Sequence, residues 1–319
     1  MRRMSLLVCS GVLVCSLAAA QAQSVSIVST PSGSFTNSAG AALAKIVSEK
    51  TKVHAVLQAQ AQQGMIPVDA GTAEFGMGNS FDTTFYAQGK GEYEGQGPHK
   101  NLRHVAALLP YQVALHVRAD SDIKTIADLK GKRVSAGFNA QKTIGRIIAA
   151  HLASAGLSYK DVRQVLTPNV SRSAEDFSSG KTDVLFFALG SAAVKQAAAT
   201  VGGLRVLPID DSPAALARMQ EVLPGSYVME VKPSPQFDGI TQPTKVIAFD
   251  MVLSTSASVP DDVVYQVTKA IHENKAALAV TFPPFNLFNP EGMAKVVKDV
   301  PFHPGATKYY QEVGLAPKS

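Results

Sequence analysis

Short apolar runs alternate with stretches of helical periodicity along almost the whole chain, and no other feature narrows its fold so far. Residues 25–28, 54–57 and 75–78 read as strands, with helical spacing over 41–49 (Asn37 or Ser38 available as cap), a short helix over 65–70 and another after Asp82. A polar, glycine-rich loop fills 89–101, and two strands at 105–109 and 113–117 run nearly continuously across Pro110. Beyond them the pattern predicts strands at 133–138, 162–166, 184–189, 204–209 and 246–254. It predicts helices at 125–129, 143–155, 173–177, 213–222 and a stretch ending at 199. Three helical segments near 261–280, 290–298 and 305–313 close the chain. Strands that alternate with helices imply α/β architecture with mostly parallel sheets.

Two strands have a special place in that order. The run at 113–117 and the late run at 246–254 bracket a self-contained βα segment. A chain that leaves one domain, builds a second and returns makes two crossing strands at a hinge. The expected architecture is therefore a clamshell of two α/β lobes, the first formed by 23–112 and 255–319, the second by 113–254, with hinge strands near 113–118 and 246–254. A single large doubly wound sheet is the other architecture compatible with the pattern.

The first 22 residues read as a secretory signal peptide: Arg2 and Arg3 precede an apolar run over 6–20, and Ala20-Gln21-Ala22 supplies small residues at a cleavage position. The run is shorter than the 20 or so residues that span a bilayer, and no later stretch is apolar enough. Removal of this segment takes away Cys9 and Cys15, the only two cysteines, and with them any thiolate nucleophile, disulfide or cysteine zinc site. It also leaves 28 Lys+Arg (30 less Arg2 and Arg3) against 25 Asp+Glu. Such a balance, with basic residues scattered rather than striped, argues against a nucleic-acid partner.

Ligands of open α/β sheets bind beyond the C-terminal ends of strands, where helix N-termini begin. Four turns at such places are rich in Gly, Ser, Thr and Asn: 31–38 (with Ser34, Phe35, Thr36 and Asn37), Asn79-Ser80, 137–143 (with Phe138, Asn139, Lys142 and Thr143) and Gly190-Ser191. Capping and turn chemistry account for any one of them; four at matching positions point to a shared anion-binding crevice. Lys142 would add a full positive charge, and Phe35, Phe138 and Phe187 would serve as cleft walls. Catalytic signals are poor. Ser121-Asp122-Ile123-Lys124 fits Ser-x-x-Lys without a companion motif, the seven histidines are dispersed, and Asp210-Asp211 reads as a solvated turn.

Residues 125–137, Thr-Ile-Ala-Asp-Leu-Lys-Gly-Lys-Arg-Val-Ser-Ala-Gly, resemble the segment that opens the second lobe of periplasmic substrate-binding proteins. Combined with Leu207-Pro208-Ile209-Asp210-Asp211, with the stretch 259–265 and with His303-Pro304-Gly305-Ala306 before Tyr309-Tyr310, the ordered set is similar to the TAXI family of solute receptors for TRAP transporters. That resemblance implies a type II periplasmic-binding-protein fold. It also implies a monomeric periplasmic receptor without cofactor or enzymatic activity, which delivers a small organic anion (a carboxylate or an amino acid) to TRAP-type permease subunits. A binding protein of an ATP-driven importer is the alternative, and a periplasmic enzyme a more distant one. Where the family carries Gln-Ser-Asp after the third strand, this chain has Asn79-Ser80-Phe81, and where it carries Gly-Ser-Gly-Thr it has Ala140-Gln141-Lys142-Thr143. A carboxylate lost and a lysine gained imply a site biased toward anions.

Overall fold

A computed structural model describes residues 23–60, 63–97 and 99–315; the expected signal peptide lies outside them. The first elements are β1 (Gln23–Ser29), α1 (Phe35–Lys50), β2 (Val53–Ala59), α2 (Met65–Asp69), β3 (Phe75–Asn79), α3 (Ser80–Gln88) and β4 (Leu102–Arg118). Next come β5 (Arg133–Gly137), α4 (Lys142–Ser154), β6 (Arg163–Thr167), α5 (Val170–Ser178), β7 (Leu185–Ala188), α6 (Ala192–Val201), β8 (Leu204–Val206), α7 (Pro213–Val222) and β9 (Tyr227–Val231). The chain closes with β10 (Thr244–Ser256), α8 (Asp261–Glu273), α9 (Lys275–Thr281) and α10 (Pro304–Glu312). Among the described residues no helix is long and apolar enough to cross a membrane.

The main sheet runs β2-β1-β3-β10-β4-β7, with β8 on β4 and β9 on β10. Parallel pairing joins β1 to β2 and β3, and β5 to β6 in a separate two-stranded sheet. The expectation of mostly parallel sheets stops at β4 and β10, which are antiparallel to every strand they touch. These two strands pass from one lobe to the other. The start of β4 pairs with the end of β10 against β3, whereas its far half pairs with β7 and β8, and the start of β10 pairs with β9. The runs expected on either side of Pro110 are one strand. Pro110 faces Asp250 just where the register of β10 shifts, and a bulge tolerates a residue with no N–H to give.

Close backbone contacts hold the first lobe together. A Cβ on Gly76 of β3 would stand 2.2 Å from the Gly64 carbonyl oxygen, so the chain entering α2 lies directly on the strand. A Cβ on Gly305 would stand 2.2 Å from the Asp261 carbonyl oxygen, which sets how closely α10 approaches α8. His303 caps α10 by accepting the Gly305 N–H at its Nδ1, 3.2 Å away. The core of the second lobe takes in Leu115, Leu129, Phe138, Ile148 and Phe177, together with the rings of His116 and His151, all fully buried.

Two readings of the sequence are corrected. The helix expected over 290–298 is a single 3₁₀ turn, Pro290–Gly292, followed by irregular chain in which Val297 bridges Val300 and Asp299 takes a left-handed φ of 62°. Its apolar residues follow the surface of the first lobe rather than one helix face: Val297 and Val300 pack with Tyr86, Tyr93 and Val252. The helix expected over 261–280 breaks at Asn274, whose side chain donates to the Ala270 carbonyl and ends α8.

Candidate functional site

A cavity of about 80 Å³ lies between the lobes, beside the crossing strands. From the first lobe it is lined by Thr30, Ser34, Phe35 and Thr36 at the start of α1, Gln63 before α2, and Met77, Gly78 and Asn79 at the end of β3. From the second come Gln141, Thr143, Ile144 and Ile147 of the α4 entry, Val170 at the first turn of α5, and Phe186, Phe187 and Ala188 of β7. Tyr111, Val113 and Phe249 of the crossing strands form the back. No lining residue carries a charge.

Each polar wall residue is held by its own local structure. Ser34 caps α1 by accepting the Asn37 N–H at 3.1 Å, and its hydroxyl meets that of Thr30 at 2.7 Å. Asn79 caps α3 through Oδ1, which accepts the Asp82 N–H at 2.8 Å, so its amide hydrogens are the donors on this wall. Gln141 accepts the Val170 N–H at Oε1, 2.9 Å, and ties the entry of α4 to that of α5. Across the cleft Gln63 donates from Nε2 to the Thr143 hydroxyl at 2.8 Å. The Thr36 and Tyr111 hydroxyls are hydrogen-bonded to each other. Burial pushes the Tyr111 phenol up, so it stays neutral. Aromatic rings close the back: Phe35 and Phe249 stand 5.2 and 5.4 Å from Tyr111, and Phe81 packs edge-on against Phe249. Helices α1, α3, α4 and α5 therefore all begin at the cavity, and α4 has no side-chain cap. N–H groups of a first helical turn, with the partial positive charge of the helix end, suit an anionic or strongly accepting guest.

Of the residues singled out in the sequence, Ser34, Phe35, Thr36, Asn79, Thr143 and Phe187 line this cavity. Asn37 and Ser80 follow them on α1 and α3 but do not face it; the Asn37 side chain donates to Ser29. Phe138 is wholly buried in the second-lobe core at a left-handed φ of 43°. Asn139 and Lys142 are exposed outside the cavity. Gly190 and Ser191 line a different, more open groove with Ser38 and Pro284, and the Ser191 hydroxyl donates to the Ala188 carbonyl.

The polar and aromatic lining residues that sequence reasoning missed are Thr30, Gln63, Tyr111, Gln141, Phe186 and Phe249. Gln63 follows β2, a parallel strand whose C-terminal turn obeys the same rule as the four turns selected. Tyr111 and Phe249 lie on crossing strands, where apolar periodicity shows burial and not its neighbours. The carboxylate lost at position 81 stands one residue further on. Asp82, fully buried on α3, accepts from the Tyr93 hydroxyl at 3.0 Å. Burial pushes its carboxyl up to about 7, Tyr93 opposes, Glu92 adds to the rise, and Thr143 and Arg146 lower it.

Solved structures with this fold include one described as a periplasmic transporter (TM-score 0.56, 15% identity, 93% of this chain and 94% of that one). Another is the alkanesulfonate-binding protein SsuA from Xanthomonas axonopodis pv. citri bound to MOPS (0.52, 16%, 94% and 86%). A third is the substrate-binding protein of an amino acid ABC transporter (0.51, 12%, 81% and 98%). The expected type II periplasmic-binding-protein fold is thus the fold observed. A family model described as NMT1-like matches residues 28–314, nearly every residue described above, and the chain belongs to the NMT1-like family.

Proposed function

We propose that this protein is a periplasmic solute-binding receptor that closes two lobes, 23–112 with 255–319 and 113–254, over a small organic anion and delivers it to a membrane permease. The observation that carries this reading is the uncharged, aromatic-backed cavity walled from both lobes by four helix N-termini. The anionic head would be held by first-turn N–H groups of α1 and α4 and by the Asn79, Thr36 and Thr143 side chains. An apolar body would lie on Phe35, Phe186 and Phe249. Such a wall suits a sulfonate or monocarboxylate with a short apolar tail better than a zwitterion, because it offers an ammonium group no counter-charge. The bend would lie at Pro110 and Asp250, where the two crossing strands change register.

Closure needs a ligand that binds the closed state more tightly, by about 5.5 kcal/mol for a near-complete shift. Several charge-assisted hydrogen bonds of about 1.5–3 kcal/mol each supply it. The test is a thermal-shift panel of short alkanesulfonates, monocarboxylates, amino acids and neutral amides, with hits confirmed by calorimetry. A ligand at 100 times its Kd adds about 2.7 kcal/mol of stability, a rise of several degrees. The reading predicts hits among the sulfonates and monocarboxylates; a panel with no hit, or with hits among the neutral compounds alone, refutes it.

For the membrane partner we favour a TRAP-type permease of the TAXI kind, on the ordered motifs at 125–137, 207–211, 259–265 and 303–310. The sulfonate and amino acid binding proteins that share the fold support an ATP-driven importer as the second reading. Uptake in intact cells separates the two: an ionophore abolishes the first and ATP depletion the second.

A further inference from the structure

We propose that Asp82 is the proton-linked element of a clasp between the lobes: it is protonated when α4 lies over it and ionised when α4 swings away, so that closure takes up one proton. This rests on the reading of the cleft as one that opens and closes.

The clasp is built beside the ligand cavity. Arg146 of α4 reaches across to Glu92, 3.0 Å away, in the 3₁₀ turn Gly91–Tyr93 of the first lobe. Its guanidinium also lies 4.7 Å from the centre of the Phe85 ring on α3. One turn earlier on α4, Thr143 accepts from Gln63 of the first lobe. Asp82 sits under these contacts with no exposure. Its Oδ1 is held by Tyr93, while Oδ2 has no hydrogen-bond partner, although the Thr143 hydroxyl lies near enough to affect the carboxyl. The Thr83 hydroxyl and Glu92 Oε2, close by in the chain fold, are likewise buried without partners.

A carboxylate with one well-formed donor, Tyr93 on Oδ1, and only the nearby Thr143 hydroxyl toward Oδ2, buried in protein, is an unfavourable place for a full negative charge and a tolerable one for a neutral acid. The titratable and charged groups that act on Asp82 are Tyr93 and Glu92 from the 3₁₀ turn and Arg146 from α4. Arg146 is already engaged by Glu92, and the nearer Tyr93 supplies one hydrogen bond to one oxygen. Two covering residues, Thr143 and Arg146, belong to the other lobe. Lobe separation removes them and admits water to Oδ2, which restores the ordinary preference for the ionised form.

The experiment is small-angle scattering of the purified, ligand-free protein between pH 5 and 8.5 at constant ionic strength. The radius of gyration is expected to grow as pH rises from 5, the closing constant falling up to tenfold per unit and levelling off above about 7, where the closed-state carboxyl itself ionises. Asp82→Asn is expected to remain compact at both ends of the range. A flat wild-type curve, or an Asp82→Asn curve that keeps the wild-type dependence, overturns the proposal. Carbon-13 titration of aspartate carboxyls in the wild-type protein tests it without any substitution. One aspartate is expected to titrate near neutrality, and titration of every aspartate below pH 5 overturns it. The two readings fail separately. Panel hits with scattering that ignores pH leave the receptor and remove the clasp, whereas pH-dependent scattering with an empty panel does the reverse.

Discussion

Acid should unfold this protein well before its surface carboxylates are protonated, because three histidines are wholly buried. His104, His116 and His151 have no exposed surface, and burial pulls each imidazole down from 6.5 to about 4. His151 is held as the neutral ring that donates from Nδ1 to the Ile147 carbonyl at 2.9 Å, with Nε2 unpartnered, and neither nitrogen of His116 has a well-formed partner. Between pH 6.5 and 4 the unfolded chain takes up a proton at each histidine that the folded chain refuses, so stability falls as pH falls through that window. Each is worth about 3 kcal/mol over the whole window at about 1.4 kcal/mol per pKa unit. Asp82 acts in the opposite sense: its folded pKa is raised from 3.8 to about 7, so it favours the folded state at low pH and costs about 4 kcal/mol by pH 8. Three against one leaves a net loss of roughly 5 kcal/mol on going from pH 7 to pH 4, comparable with the whole stability of a typical domain. Urea denaturation followed by fluorescence and circular dichroism over a pH series measures it. His116→Leu should flatten the slope by about one proton, whatever its effect at neutral pH. A stability that is constant from pH 7 to pH 4.5, or a His116→Leu slope equal to the wild type's, would refute the reasoning.

Further outcomes follow from the same geometry. Asp82→Asn should be more stable than wild type by a margin that grows by about 4 kcal/mol between pH 4 and pH 8; parallel curves would show that Asp82 titrates normally. Gly76→Ala should cost 2 kcal/mol or more by calorimetry, since its Cβ would meet the Gly64 carbonyl oxygen at 2.2 Å. For whichever panel compound binds best, Thr143→Val should weaken binding about tenfold. Lys142→Ala should change it less than about threefold at 0.15 M salt, because Lys142 is exposed outside the cavity. A tenfold loss with Lys142→Ala would return that lysine to the site.

The α/β order was legible because each core element carries its own period and its own punctuation. Helix α7 begins where Ser212 and Pro213 place it, and β3 ends where Asn79 caps α3. What escaped was decided between elements. Strand β9 is only partly buried along most of its length, and its short run Tyr227-Val228-Met229 is broken at once by Glu230; its place on β10 is set by pairing. The site divides in the same way. Thr36, Asn79 and Thr143 were legible as first-turn residues after strands, which is a local property. Whether Lys142 or its neighbour Thr143 faces the cleft depends on the rotation of α4, and that is fixed by Ile147, Ile148 and Leu152 packing into the second-lobe core. Asp82 was passed over because a one-residue offset from a familiar pattern looks like a loss until the helix turns it inward.

The uncharged cleft wall has a consequence for release as well as capture. A lysine at the bottom of such a crevice would have to be desolvated each time the lobes met without a ligand, and it would bind an anion with a strength that depends little on the exact closure. Helix N-termini differ. Each presents about half a charge, spread over N–H groups whose aim is set by the lobe that carries them, and the effect fades within a turn. On the proposed reading, those of α1 and α3 would belong to one lobe and those of α4 and α5 to the other, so their sum would act on one anion only at full closure. Affinity built this way is steep in the lobe angle: a permease that pries the lobes apart by a few ångströms would abolish most of it without contacting the ligand. Full charges in contact across the lobes, Arg146 and Glu92, lie to one side of the cavity with Asp82 beneath them. If the lobes close as proposed, the closing equilibrium would be tuned there while the selectivity of the cavity stayed unchanged.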